Sequence, residues 1–349
     1  MKLKINRQEL IEKLSVLEKA LPGKGHFVQL SGFHFSTKDG VATITTNNID
    51  MAIQTRVQID GEDGEIVLDN SFADIVRKLS GSEVTIEVED YRARVKSGKT
   101  KFTLETLDAE EFPLPNVDYA QWQKVEFVGD KLKNIINKTA PFASKDESKP
   151  VFKGVKFNGD TVIATDTYRL AKLELETGAD VIIPGKLLQE LSKMPIDDVI
   201  AHLGEEKAVF MCGEYTVYLS VLSGNFPDMS KVVPEKHKTE VTVDREQLLQ
   251  VLGRASIIAK DYNKRIDVTI RDGVMTVEAR HETGHMMDEI EVEQEGEDVD
   301  TIFLNLIYFQ EGARSVGEKV KINFNGDMGP VVINDDGYIN LILPIKKEG

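Results

Sequence analysis

Two stretches of this chain hold residue types that could do chemistry. His281-Glu282-Thr283-Gly284-His285 is a literal H-E-x-x-H. On a helix, positions i and i+4 share a face, so two such histidines can bind zinc while the glutamate serves as the base of a hydrolase. The flanks oppose a helix. VMTVEAR before the motif and MMDEIEVE after it alternate like strands, and Gly284 weakens a helix further. The pattern predicts a hairpin tip, with a zinc-dependent hydrolase as the alternative. The second stretch, Asp166-Thr167-Tyr168-Arg169, brings an acid, a phenol and a guanidinium together. No serine–histidine or cysteine–histidine arrangement accompanies it, and there is no Walker loop or G-x-G-x-x-G. An Asp–Arg pair or a binding-pocket wall is expected there, so no catalytic residue, metal or cofactor is assigned. The chain ends on Leu341-Ile342-Leu343-Pro344-Ile345, an apolar strand stopped by proline. It reads as the last core strand, and its end could dock a peptide.

The elements that must position these residues repeat. MKLKINRQELIEKLSVLEKAL is a short alternating strand running into an amphipathic helix. The pattern returns from Lys124 and again from Thr239. Leu10, Leu132 and Leu248 are separated by 122 and 116 residues, and the turn glycines Gly40, Gly159 and Gly273 by 119 and 114. Each unit reads as strand and helix, then strands joined by a glycine turn, a second helix, and three closing strands. Independent landmarks recurring at one period argue for three copies of one α+β unit. Pro-bearing linkers are expected near 113–123 and 227–239. In the first helix Leu10, Leu14 and Leu17 share a face, with Ile11 beside them. The six expected helices cover 7–20, 71–79, 130–139, 185–194, 244–256 and 303–316.

At 349 residues the chain can build two or three cores. No apolar run approaches the roughly 18 residues of a membrane helix. Glu9 and Glu12 fall where the apolar core of an export signal would sit. The single cysteine, Cys212, excludes an internal disulfide. The chain is expected to be cytoplasmic, without a membrane partner. The net charge of −16 opposes nucleic-acid binding by bulk attraction. Its distribution is uneven: the six helix windows sum to +4, leaving −20 for the rest. A scaffold that turned helices to DNA and sheets to solvent would show this split; so would ordinary solvated helices.

With these residues in hand, the sequence resembles the bacterial DNA polymerase III beta subunit, the sliding-clamp family, over essentially its whole length. ATDTYRLA (164–171) is similar to the family's ATDGHRLA. SGNFPDMSKVVP (223–234) is similar to its DGRFPDYRRVLP, and the closing LILPIKK to its VMPMRL tail. The resemblance implies an α+β fold of three repeated clamp domains, over 1–122, 123–238 and 239–349. Each has two helices packed on antiparallel sheets. Two chains would close head to tail as a homodimeric ring around double-stranded DNA, held topologically and without sequence preference. Such a ring is a non-catalytic processivity factor near the nucleoid. Its partners would be a DNA polymerase III alpha-type subunit, a clamp loader and other clamp-motif peptides. A clamp-like decoy of those partners is a further alternative.

Carried over by position, the resemblance implies a partner-peptide pocket between domains 2 and 3. Its residues would be Phe152, Thr165, Thr167, Tyr168, Arg169, Leu170, Pro227, Lys231 and Val232, with Asn305, Tyr308, Leu341, Ile342, Leu343, Pro344 and Ile345. Lys24, Arg77 and Lys186 would face DNA. Phe102 and Leu104 would meet Ile257 and Ile258 at the dimer interface. The chain departs from the family pattern at Thr167 and Tyr168, which replace Gly-His, and at Lys231, which replaces an arginine. It also departs at QLSGFHF and in the KKEG tail. Such departures fit a divergent copy of the kind a phage or plasmid carries. Thr167 adds bulk at the pocket rim, and Lys231 lacks the planar fork of arginine.

Overall fold

The computed structural model describes residues 1–23, 30–260 and 264–346. Lys24 lies outside the described residues. Among the described residues each repeat has two α-helices: α1 (Arg7–Leu17), α2 (Ser71–Lys78), α3 (Gly129–Thr139), α4 (Gly185–Ser192), α5 (Arg245–Ile258) and α6 (Leu306–Arg314). Three of them start the same way. Asn6, Asp244 and Asn305 end a strand, and each side chain accepts a hydrogen bond from a backbone N–H of the first helical turn. Each such cap is worth about 1 kcal/mol. The cap at Asn305 also shortens the expected last helix, because residues 303–305 belong to the strand Val299–Asn305.

The hairpin turns follow their chemistry. Asp39 and Gly40 have φ of 50° and 78°, and Asp272 and Gly273 have 50° and 76°. Both central residues are left-handed, as in the turn whose twist matches a two-residue hairpin.

The chain packs as two compact units, Met1–Asn134 with Lys186–Val221, and Ile135–Gly185 with Leu222–Gly349. A repeat and a compact unit are therefore different things here, because the middle repeat contributes strands to both. The first unit holds one antiparallel sheet of thirteen strands among the described residues. Tyr215–Ser220 of the middle repeat adds to Met51–Gln58 of the first, with Tyr215 opposite Thr55 and Leu219 opposite Met51. The inner face carries the core. Leu10, Leu14 and Leu17 of α1 and Phe72 and Val76 of α2 are buried there. Phe72 meets Phe33 and Phe35 edge-on, with ring centroids 6.2 Å and 5.7 Å apart. Losing a ring so placed costs about 3–5 kcal/mol. Lys13 of α1 is 4% exposed, its ammonium pairs with Glu214, and it lies 5.3 Å from the centroid of the Tyr215 ring.

Among the described residues, the second unit holds a nine-stranded and a four-stranded antiparallel sheet. In the former, Arg169–Glu174 of the middle repeat adds to Tyr338–Ile342 of the third, with Tyr338 opposite Leu173. The two added strands use registers that differ by two. Thr55 sits three residues before Gln58, the partner of Val41, whereas Leu173 sits one before Glu174, the partner of Thr161. An even shift keeps every side chain on its own face. No helix among the described residues is long and apolar enough to cross a membrane.

One histidine of the first sheet gives a pH prediction. His34 is fully buried and stacks on Phe112, with centroids 5.0 Å apart. Neither ring nitrogen has a hydrogen-bond partner among the described residues, and the Glu65 carboxylate is 3.8 Å away. Burial holds this imidazole below its ordinary value, and Glu65 opposes that more weakly. The folded chain therefore refuses a proton that the unfolded chain accepts. The His34 contribution is complete above pH ~6.5 and is lost as pH falls from there towards the folded value. His34→Phe keeps the stack and is expected to flatten stability between pH 7.5 and 5. Equal losses in both proteins, followed by urea unfolding, would refute the assignment.

Candidate functional site

The nine-stranded sheet places the expected pocket residues by alternation, since successive side chains of a strand point to opposite faces. Leu170 lies opposite Leu341, and Leu341 opposite Val332. With Ile163 these form one buried apolar cluster on the outer face. The strap 221–238 crosses that cluster, with its Phe226, Met229 and Val233 packed against it beside Ile339 of the strand Tyr338–Ile342. Its ends are tied by Leu222 N–H to Ile182 O at 2.8 Å and Lys238 N–H to Phe324 O at 3.1 Å. Pro227, Lys231 and Val232 stand exposed on the strap. A cavity of about 530 Å³ lies beside its first half, between Lys156, Lys172 and Phe226.

Around this floor, Phe152 is half-buried and edge-on to Phe226 at 5.5 Å. Leu343 is 40% exposed. Its N–H donates to Tyr168 O at 2.9 Å, and Ile345 N–H donates to Phe303 O at 2.7 Å. The tail 343–345 thus runs along the turn 166–168, with Pro344 and Ile345 half-buried. Asn305 is occupied in capping α6. Tyr308 follows on that helix, half-buried, and desolvation raises its phenol pKa.

Arg169 and Ile342 lie opposite each other and turn to the helix face, away from the floor formed by their neighbours Leu170 and Leu341. Ile342 is fully buried. The Arg169 guanidinium donates to Asp166 Oδ2 at 3.0 Å, to Pro141 O at 2.9 Å and to Glu311. It lies between the Phe142 and Tyr308 rings, at 4.6 Å and 4.3 Å. The Asp–Arg pair expected from the sequence is real, and it is structural.

The turn before it is strained at one residue. Thr167 has φ of 78°, a left-handed value that costs a β-branched residue about 1–3 kcal/mol. Neighbours hold it there. Thr165 Oγ1 accepts from Thr167 N–H at 3.0 Å and donates to Arg169 O at 2.6 Å. Asp166 Oδ1 accepts from the N–H groups of Tyr168 and Arg169 at 3.0 and 3.1 Å. Tyr168 is left 61% exposed at the rim.

The H-E-x-x-H stretch is a hairpin tip. His281 ends strand Val274–His281 and His285 lies in strand Gly284–Glu291. His281 pairs with Gly284 and His285 with Arg280, so the two rings leave opposite faces of the hairpin. His281 Nδ1 is 3.0 Å from Thr283 Oγ1, and His285 Nε2 is 3.1 Å from Glu278. The two histidines do not share a zinc, and the hydrolase reading fails on geometry. No group of three or more His, Cys, Asp or Glu among the described residues is placed to hold a metal.

Of the expected DNA-facing residues, Lys186 is the second residue of α4 and is exposed. Arg77 on α2 is already engaged by Glu18 and by Asp74 at 3.2 Å. Among the expected interface residues, Phe102 is 36% and Ile257 64% exposed. Leu104 and Ile258 are half-buried, and a methyl of Ile258 lies against Gly284. Sequence reasoning missed Ile163 and Val332 of the floor, which look like any strand residues. Their signal is the cross-strand row that they share with Leu170 and Leu341.

Comparison with known proteins agrees with this architecture. Models of the DNA polymerase III beta subunit match in order: the N-terminal domain over residues 1–118, the central domain over 126–228 and the C-terminal domain over 230–345. The chain is 30% identical to the beta sliding clamp of Bacillus subtilis over 383 residues, covering 99% of this chain and 100% of that one. It is 29% identical to the beta sliding clamp of Staphylococcus aureus over 377 residues, covering 99% of each. The crystal structure of the DNA polymerase sliding clamp from Bacillus subtilis superposes with a TM-score of 0.94 at 28% identity, covering 100% of both chains. The chain belongs to the DNA polymerase III beta subunit family.

Proposed function

We propose that this chain is a DNA sliding clamp: a non-catalytic processivity factor that closes as a head-to-tail homodimer around duplex DNA and tethers a replicative polymerase. One observation carries the ring. Two of three equivalent strand junctions are made inside the chain, 51–58 with 215–220 and 169–174 with 338–342. The third pair of strands is left open. Among the described residues, Gly284–Glu291 is an edge strand, and Thr100–Leu107 has one free side apart from its last two residues. A second copy supplies the missing partner to each. Following the two registers already used, Thr100 falls opposite Asp288 or Ile290 of that copy. Phe102 and Leu104 then share a face with α5 and its Ile257 and Ile258. Such a contact is heterologous, and two of them complete the ring.

A ring holds DNA by topology, so its inner surface need not grip phosphate, and weak contact permits sliding. Lys131, Lys133 and Lys186 form no ion pair among the described residues and are available for it, whereas Arg77 is already paired. The pocket between repeats 2 and 3 receives polymerase and clamp-loader peptides on the Leu170–Leu341 floor. An apolar pocket with few polar groups suits a leucine or phenylalanine anchor.

Solution mass tests the ring: a dimer of twice the 39.0 kDa chain is expected at micromolar concentration, and a stable monomer refutes it. Retention on nicked circular DNA should vanish when the circle is cut. Leu343→Ala with Pro344→Ala is expected to weaken polymerase-peptide binding about 30-fold or more, leaving the dimer intact. Unchanged affinity in a fluorescence titration would sink the pocket assignment.

A further inference from the structure

We infer that the cavity under the second half of the strap 221–238 is a binding site for a small organic cation, a protonated amine or guanidinium on a short alkyl stem. Neither the ring nor the peptide pocket is needed for it. In the nine-stranded sheet, Leu170 lies opposite Leu341, Leu341 opposite Val332, Val332 opposite Asn323, and Asn323 opposite Glu240. The outer face of that row therefore passes from an apolar floor to two oxygen acceptors side by side. Residues paired in this way have Cβ atoms about 4.5–5.5 Å apart.

Both acceptors are short of donors. Asn323 is 6% exposed, and its Oδ1 has no hydrogen-bond partner among the described residues. A buried amide oxygen left unanswered is costly. Glu240 has charge partners, but loose ones. His237 Nε2 stands 3.7 Å and Lys321 Nζ 3.9 Å from its carboxylate, beyond hydrogen-bond reach, and those two side chains are 42% and 60% exposed. Asn323 and Glu240 line a cavity of about 290 Å³ together with Val233, Pro234, Val332 and Ile339. Glu235 and Lys236 of the strap also line it, and their charges cancel.

The lining selects the ligand by its chemistry. Two adjacent acceptors call for a group that carries several N–H donors and a positive charge. A guanidinium presents its donors as a planar fork, and an ammonium offers three. A bare calcium ion is a poor fit, because it takes about six to eight oxygen ligands. Among the described residues no group of three or more His, Cys, Asp or Glu is placed to hold a metal. The apolar side chains of the lining suit an alkyl stem instead. Glu240 opposes an anion, and the net charge of −16 favours cations at the surface as a whole.

The test uses the full-length protein and two probes, n-butylguanidinium and n-butylammonium chloride, titrated by calorimetry at constant ionic strength. Each is expected to saturate at one per chain with a Kd of about 1 mM or tighter. Butan-1-ol, which carries the stem without the charge, should bind about 10-fold more weakly or not at all. Glu240→Gln and Asn323→Leu should each weaken butylguanidinium binding about 10-fold. Asn323→Leu should also raise the melting temperature of the second unit by about 2–4 °C, since it removes a buried acceptor that nothing answers. A fall instead would show that the amide is already satisfied, and the site would lose its basis. Leu343→Ala with Pro344→Ala should leave both probes bound as before; loss of binding there would move the cation to the peptide floor and overturn the assignment. N-acetylarginine methylamide separates two sources of such a cation. Binding as tight as that of butylguanidinium assigns the cavity to an arginine side chain, and binding of the small probes alone assigns it to a free amine or guanidine. If neither probe gives saturable heat, water fills the cavity and the inference is wrong.

Discussion

Arg169→Ala is expected to destabilise the second unit by about 3 kcal/mol, the largest loss from any single side chain outside the apolar core. The estimate follows from what the truncation leaves behind. Breaking a buried ion pair costs about 3–5 kcal/mol, because the partner stays desolvated and unpaired. Here the Arg169 side chain is 9% exposed, Asp166 is 15% exposed and Glu311 is 34% exposed. The exposure of Glu311 lets water recover part of its loss, which sets the low end of the range. The Pro141 carbonyl also loses its donor, and a gap opens between the Phe142 and Tyr308 rings. Arg169→Lys keeps the charge but not the planar fork or the stack, and should lose about half as much. Urea unfolding should be resolved unit by unit, since a chain of two compact units need not melt as one. A loss under about 1 kcal/mol would mean that the pair behaves as an exposed bridge, and the structural assignment of Arg169 would be wrong.

The second large effect concerns self-association. Phe102→Asp with Ile257→Asp is expected to weaken the dimer by about 100-fold or more, because in the proposed ring two central apolar contacts become carboxylates at each of two interfaces. The single chain should fold as before. Phe102 and Ile257 are 36% and 64% exposed in it, so neither substitution buries a charge within the monomer. Sedimentation equilibrium gives the association constant, and thermal melting of the monomer gives the control. A dimer of undiminished affinity would place the interface elsewhere. Loss of the monomer fold would show that these side chains belong to a core.

Much of this arrangement is legible in the residues themselves. The Leu10-Leu14-Leu17 stripe, the Asp-Gly turns at 39–40 and 272–273 and the Asp166–Arg169 pair are local, and local physics reads them directly. The alternating flanks of the H-E-x-x-H stretch likewise announce two strands. What was not legible shares one cause. Where Arg169 and Ile342 point is decided by which face of a strand meets a neighbour far away in sequence. A motif carried over as a continuous string does not distinguish its two faces, so Arg169 and Ile342 travelled with Leu170 and Leu341. Ile163 and Val332 were missed for the converse reason, since their role exists only once four strands lie side by side. The two-residue offset between the strand junctions has no counterpart in the spacing of the repeats.

The linkers that carry the chain from one repeat to the next have a kinetic consequence. Residues 108–122 keep strands 51–58 and 215–220 within one molecule, and the strap 221–238 does the same for strands 169–174 and 338–342. A short tether holds its two ends at an effective concentration on the order of millimolar. Either internal junction, once parted, therefore re-forms before its strands can diffuse away. In the proposed ring the free edges 100–105 and 284–291 have no such tether and would meet only at the concentration of the protein itself. Any device that needs to open such a ring would find its two weakest points where the polypeptide is discontinuous, and dilution alone would act there and nowhere else.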